Sequence, residues 1–378
     1  MPYDVNISYW ELKHYFTNVD LIVIGSGIVG LNTALYFKKN NPKAKILVVE
    51  KGILPAGAST KNAGFACFGS PSELLSDLKK TTEERVWETV KMRWDGLNLL
   101  RKNLGDKNIG YKLHGGYELF SDKKMFDDCS ESIFYLNKKT REYLGKKNVY
   151  TEANTAIAAF GFKNIKGIIL NKEEGQIDTS HMFNSLLKLV QLHDITVLNN
   201  IDVSLIKDTG TNVELKTNLG VFKSKKVVVA VNGFAKNLLK IKDVVPARAQ
   251  VLITKPILNL KLKGTFHYNE GFYYFRNINN RILFGGGRNL DLKRETTTKI
   301  AVTKPIQNQL EKLLKTVIIP NVKFEIEHRW AGIMGVGSEK KPIIKHYSPN
   351  VVCAVRMGGM GIAIGSLVGK DTAQLIGE

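Results

Sequence analysis

Residues 20–37 read DLIVIGSGIVGLNTALYF, and residues 45–52 read KILVVEKG. Asp20 to Ile24 reads as a short strand of nearly continuous apolar residues, as a parallel strand covered on both faces requires. Gly25, Gly27 and Gly30 follow at once in the spacing G-x-G-x-x-G. In such a turn the first glycine permits a tight reversal, the second admits a pyrophosphate against the backbone, and the third lets helix pack on strand. A helix follows, whose unsatisfied N–H groups would face the anion, with Ile28 among the candidate cofactor-binding residues, and Leu31, Ala34 and Leu35 recur at helical spacing. A second apolar strand over 45–49 ends in Glu50, followed by Lys51. Glu50 stands twenty residues beyond Gly30, where a carboxylate accepts hydrogen bonds from both ribose hydroxyls and repels a 2′-phosphate. The expected fold class is α/β, and the expected ligand is a dinucleotide other than NADP.

Residues 57–70, GASTKNAGFACFGS, supply a second glycine- and hydroxyl-rich loop, which an NAD enzyme with one fingerprint does not need. Ser59 and Thr60 offer hydroxyls, Asn62 offers an amide, and Gly57, Ala63 and Gly64 leave room for a cofactor against the backbone. Such a loop suits the ribityl chain and ring of a flavin dinucleotide, so FAD is expected and an NAD-dependent dehydrogenase is not. The end of the loop also reads as a helix start, with Ser70 or Ser72 capping PSELLSDL.

Composition narrows the class. The chain has 378 residues with 43% hydrophobic and 24% charged, ordinary for a globular protein of one elaborated α/β unit or two domains. No apolar run approaches the length of a membrane span, and MPYDVNISYWELKHYF has neither the basic head nor the apolar stretch of a secretory signal. Cys67, Cys129 and Cys353 form no CxxC pair, which fits a reducing, cytoplasmic setting. The net charge of +20 would attract anionic partners, but the lysines are dispersed without a basic block, so nucleic acid is not an expected partner. The seven histidines show no HExxH or paired spacing, no metal site is expected, and no G-x-S-x-G elbow occurs.

The fingerprint, Glu50 and GASTKNAG together resemble the FAD-binding signature of the D-amino-acid oxidase superfamily, which includes glycine, sarcosine and γ-glutamylputrescine-type amine oxidases. Further segments resemble that family in its own order: residues 175–187 (GQIDTSHMFNSLL), 225–235 (KKVVVAVNGFA), 244–256 (VVPARAQVLITKP), 271–287 (GFYYFRNINNRILFGGG), 328–346 (HRWAGIMGVGSEKKPIIKH) and 357–376 (MGGMGIAIGSLVGKDTAQLI). SYWE at 8–11 is similar to the amine-oxidase branch. The resemblance implies a glutathione-reductase-like, Rossmann-type FAD domain built from 1–80, 165–240 and 325–378. It would be interleaved with an α+β substrate domain, 81–164 and 241–324, containing an antiparallel sheet. It further implies that Val203 meets adenine through its backbone and that Ala230, Asn232 and Gly233 approach the dinucleotide. Trp330, Gly332, Gly358, Gly359, Gly361 and Ile362 would close the flavin site, with the last helix directing its positive end at the ring.

The implied reaction is hydride transfer from an amine-bearing carbon to flavin N5, giving an imine that water hydrolyses, with O2 or a redox carrier as electron acceptor. This chain departs from the family at two points. The glycine-oxidase arginine two positions after W-x-G is here Met334, which turns the reading toward amines and leaves Arg356 as candidate carboxylate partner, ahead of Arg276 and Arg288. The family's G-x-S-G-H-G is here Arg356 to Gly361, with Met360 at the histidine position of the catalytic site. Tyr274, from the alternating run Tyr273, Tyr274, Phe275, is the candidate aromatic lid over the ring. No cysteine lies within 334–340, where sarcosine oxidases attach flavin, so non-covalent FAD is expected. Two other readings stay open: a flavin-dependent tRNA-modifying enzyme, and an FAD-binding protein without turnover.

Overall fold

A computed structural model describes residues 6–378; the first five residues, part of the stretch read above for a signal, lie outside it. At its centre is a sheet in the order Ile343–Ser348, Val351–Val355, Lys226–Val229, Leu21–Ile24, Ile46–Val49, Thr196–Leu198. All neighbours are parallel except the first pair. Its four inner strands are buried apart from Lys226, its two edge strands are not, and alternate residues of the inner strands serve two different cores. Leu21, Val23, Ile46, Val48, Val228 and Val352 face the helices Ile28–Asn40, Glu83–Leu104, Thr179–Gln191 and Gly361–Gly377. Ile22, Ile24, Leu47, Val49, Val227 and Val229 face a three-stranded meander through Val203, Val213, Leu215 and Phe222. That continuous apolarity is what the opening stretch displays.

Helix Gly361–Gly377 lies close against helix Ile28–Asn40 because Gly365 and Gly369 carry no side chain. A Cβ on Gly369 would stand 2.5 Å from Asn32 Cβ, and one on Gly365 would stand 2.7 Å from Ile28. Chain start and chain end are thereby joined in one core.

A second, eight-stranded sheet runs Ile326–Val336, Val245–Thr254, Arg281–Gly286, Tyr273–Ile278, Thr265–Tyr268, Gly116–Phe120, Gly167–Asn171, Tyr150–Glu152. One face packs Phe266, Phe275 and Phe284 against helix Lys304–Leu313; the other turns Val251, Tyr274 and Leu283 toward the first layer. The expected segment limits do not follow the sheets throughout. Gly167–Asn171 and Ile326–Val336, which fall in the segments expected to build the FAD domain, hydrogen-bond within this larger sheet. Helix Glu83–Leu104, grouped with the substrate segments, buries Leu97, Leu100 and Leu104 in the parallel-sheet core. No helix among the described residues is long and apolar enough to cross a membrane.

Candidate active site

A cavity of about 1080 Å³ opens between the two sheets. It exceeds the 300–1,000 Å³ or so of an ordinary small-ligand pocket, which leaves room for a long cofactor and a substrate together.

At the nucleotide end, Gly25, Gly27, Ile28 and Glu50 line the wall. Gly25 takes φ +104°, and a Cβ there would meet Ala230 O at 2.8 Å. No acceptor within the described chain takes the amides of Gly27 or Val29 at the start of the first helix, so both remain for an anion. Ser59 Oγ accepts the Ile28 N–H at 3.0 Å and ties the second loop to this helix. Gly30 is absent from the wall: its missing Cβ leaves space for Gly25 O, only 2.0 Å from where it would be, which is the packing role its spacing predicts. Glu50 accepts from Ser26 N–H and Oγ–H at 3.1 and 2.9 Å and from Gly52 N–H at 3.0 Å. Its carboxylate is thus aimed before any ligand arrives. Lys51 lines the same end, paired with exposed Asp202 at 2.9 Å, and Val203 and Ala230 complete it.

The second loop is held from several sides. Asn62 lines the cavity, but Oδ1 accepts from Gly64 N–H and Thr179 Oγ–H, and Nδ2 donates to Ser59 O. Its amide therefore shapes the loop. The Thr60 hydroxyl donates to Pro55 O at 2.6 Å and Thr60 is not on the wall, unlike Ser59, Ala63 and Gly64. Trp330 is likewise off the wall; its indole N–H donates to Lys61 O at 2.9 Å while Gly332 fits beneath Lys61. Arg276 is 3% exposed and donates to Gly64 O and Ile177 O, so it braces the loop and is not a substrate ligand.

The C-terminal turn closes the other end. Gly358 and Gly359 adopt φ +57° and +82°, and Met360 caps the last helix. The amides of Gly361 and Ile362 find no acceptor in the described chain, and both residues line the cavity with Gly358, Gly359 and Met360. Asn232 Oδ1 accepts from the amides of Arg356 and Met357, securing the turn. Gly233 sits behind the wall, where a Cβ would stand 2.4 Å from Met334 O. Arg356 is corrected here: it is 6% exposed, has φ +68°, bonds twice to Lys341 O and pairs with Asp243, and is not on the wall. Its guanidinium holds the turn's geometry, so the charge adjacent to the glycines in sequence never reaches the cavity.

Across the cavity, Arg288 is the sole guanidinium on the wall among the described residues, with no side-chain partner there; burial lowers its pKa. Tyr274 faces the same space, its phenol pushed up to about 12 by burial. Its neighbours Tyr273 and Phe275 turn into the opposite core. His267, one of the histidines without paired spacing, lies on the wall with Cys67, and their donor atoms and that of Glu174 all lie within 4.8 Å of one another. These three positions lie in separate segments, so no spacing rule finds them; the alternation Thr265, His267 against buried Phe266 was the available signal.

The free amides at two helix starts, the oriented Glu50 and the glycine-lined walls fit an extended dinucleotide, and FAD is the group that this loop pair accommodates. The chain is 21% identical to a probable oxidoreductase, OrdL, of Haemophilus influenzae, over 95% of this chain and 83% of that one. Its fold is similar to the L-proline dehydrogenase of P. horikoshii (TM-score 0.74, 18% identity, 95% and 93% of the two chains). It is similar also to the glycine oxidase of Bacillus cereus (TM-score 0.72, 17% identity, 95% of each chain). The model of the family described as FAD dependent oxidoreductase matches residues 20–375, and the chain belongs to that family: it is an oxidoreductase with FAD as its cofactor.

Proposed function

We propose that this protein oxidises a C–N bond of a small amine or amino acid. The observation that carries the reading is the continuity of one cavity from the Gly25–Glu50 end to Tyr274 and Arg288. Gly27, Val29, Gly361 and Ile362 would hold the cofactor through backbone N–H groups, and Glu50, Val203 and Ala230 would hold its adenosine part. The chemistry FAD supplies when bound is acceptance of a hydride at N5 from the carbon that carries nitrogen. The chain supplies position and environment. Tyr274 and Phe65, edge to face at 5.7 Å, form an apolar wall that excludes water from the reacting carbon. Arg288, half-buried and without a salt bridge among the described residues, would offer a bidentate site for an anionic substrate group and take over the part first given to Arg356. The imine product is hydrolysed by water. Proline dehydrogenase, glycine oxidase and iminodiacetate oxidase among the similar folds support a small amino-acid or amine substrate.

Anaerobic mixing of the holoenzyme with a panel of amines and amino acids tests this. Bleaching of the bound flavin by at least one of them, with O2 or an artificial carrier restoring colour, is expected. A flavin that no member of the panel reduces would sink the reading and favour a cofactor-binding protein without turnover.

A further inference from the structure

One cluster on the cavity wall lies outside the groups assigned above to the dinucleotide. His267 stands directly opposite Tyr274 on the neighbouring strand, so the two rings share the sheet face turned to the cavity. Phe65 packs edge-on against both, at 5.3 and 5.7 Å. His267 Nε2 lies 2.6 Å from Glu174 Oε1. Glu174 is 1% exposed and also accepts from Thr265 Oγ at 2.7 Å. Its carboxylate has room only because residue 116 is glycine, where a Cβ would lie 2.2 Å from it. His267 Nδ1 has no partner among the described residues.

We propose that His267 accepts the proton of the substrate's ammonium group, with Glu174 as its positioning residue; this rests on the amine-oxidation reading. A protonated amine has no lone pair to assist loss of a hydride from its carbon. In the step proposed, one N–H bond of the ammonium breaks, its electron pair stays on the amine nitrogen, and the proton passes to His267 Nδ1. The Nε2–H stays on Glu174, so the imidazolium is held beside a carboxylate.

The groups facing the imidazole are Glu174 from the turn before Gly175, Glu118 from the adjacent strand, Glu73 from helix Pro71–Leu78, the Cys67 thiol and the Tyr274 phenol. Burial works to lower the His267 pKa, but the three carboxylates outweigh it and raise it to about 8. Burial keeps Cys67 well up, and Tyr274 at about 12, so neither competes as a base near neutrality. A metal is a poorer occupant of the cluster. Ligands on a tetrahedral ion at about 2.0–2.2 Å stand more than 3 Å apart, whereas Nε2 and Oε1 are at the distance of a shared proton.

The test is anaerobic stopped-flow reduction of the holoenzyme from about pH 6 to about pH 10, with a substrate that bleaches it. The limiting rate should rise with pH through an inflection near 8. His267→Gln should lose that inflection and run about 10²-fold slower; Glu174→Gln should keep the inflection but move it to lower pH. The nitrogen NMR signal of His267, followed without substrate, should titrate near 8 and shift down in Glu174→Gln, which reads the pair even where His267→Gln folds poorly. An unchanged rate and profile in a His267→Gln protein that still holds FAD overturns the proposal, as does an unshifted His267 titration. Amine reduction of the wild type in either case leaves the amine reading standing, and no reduction by any amine takes both down.

Discussion

Glu50 and Arg356 show how differently two charged residues beside glycine turns can be used. Glu50 is steered by Ser26 and Gly52 toward the cavity, so Glu50→Ala is expected to weaken FAD retention by about ten- to a hundredfold, the value of a hydrogen bond to a charged group. Equilibrium dialysis of the variant checks this, and full retention would refute the ribose assignment. Arg356 clasps Lys341 and Asp243 from a left-handed backbone position. Arg356→Ala should therefore cost roughly 1–3 kcal/mol of stability and leave the preference for anionic substrates alone. Arg288→Ala should do the reverse, raising KM for carboxylate-bearing substrates with little change in melting temperature; an unmoved KM would remove it from the substrate site. Sequence position could not separate these arginines, because what distinguishes them is where each guanidinium ends: on Lys341 O and Asp243 for Arg356, on the cavity wall for Arg288.

At the scale of elements, the strand, turn and helix over 20–40 and the strand ending at Glu50 were legible because local spacing sets them; Gly25, Gly27, Ile28 and Glu50 lie on one wall, while Gly30 packs behind it against Gly25. The second loop was legible in its location but less so in its working. Asn62, Thr60 and Trp330 spend their polar groups on the loop itself, which a hydroxyl- and amide-rich string does not reveal. Helix Pro71–Leu78 is another case: Ser70 is its N-cap by position, yet its hydroxyl donates to Glu118, whose carboxylate also accepts the Ser72 amide. The cap is therefore supplied from a strand more than forty residues away. Trp330→Phe should keep the ring packing but free Lys61 O, lowering FAD affinity several-fold without unfolding the sheet; dialysis and circular dichroism together measure both. His267, Glu174 and Cys67 were illegible because tertiary pairing alone unites three segments.

In the whole molecule, segments from both ends of the chain meet at one cavity, and carboxyls held in ion pairs and hydrogen bonds set how the fold responds to acid. Glu73 lies on the cavity wall between Arg93 and Lys340; burial would raise its pKa, but those two cations bring it to about 2. Asp208, which ties the meander to Ser348 and Asn350, is also brought to about 2, its hydrogen bonds outweighing its burial. Carboxyls held below their usual range stabilise the fold above that range, and the gain is lost as pH falls toward 2. Melting temperature should accordingly hold from neutrality to about pH 5 and decline below it, more gently in Asp208→Asn. The central claim is that glycine turns from the two ends of the chain enclose a single bound FAD, and the FAD content per folded chain tests it most directly. The account predicts one acid-releasable FAD per wild-type chain and almost none in a folded Gly27→Val protein, whose new side chain fills the cradle beside Ser59. Undiminished FAD in that variant, or a wild-type protein that takes up none, would contradict it.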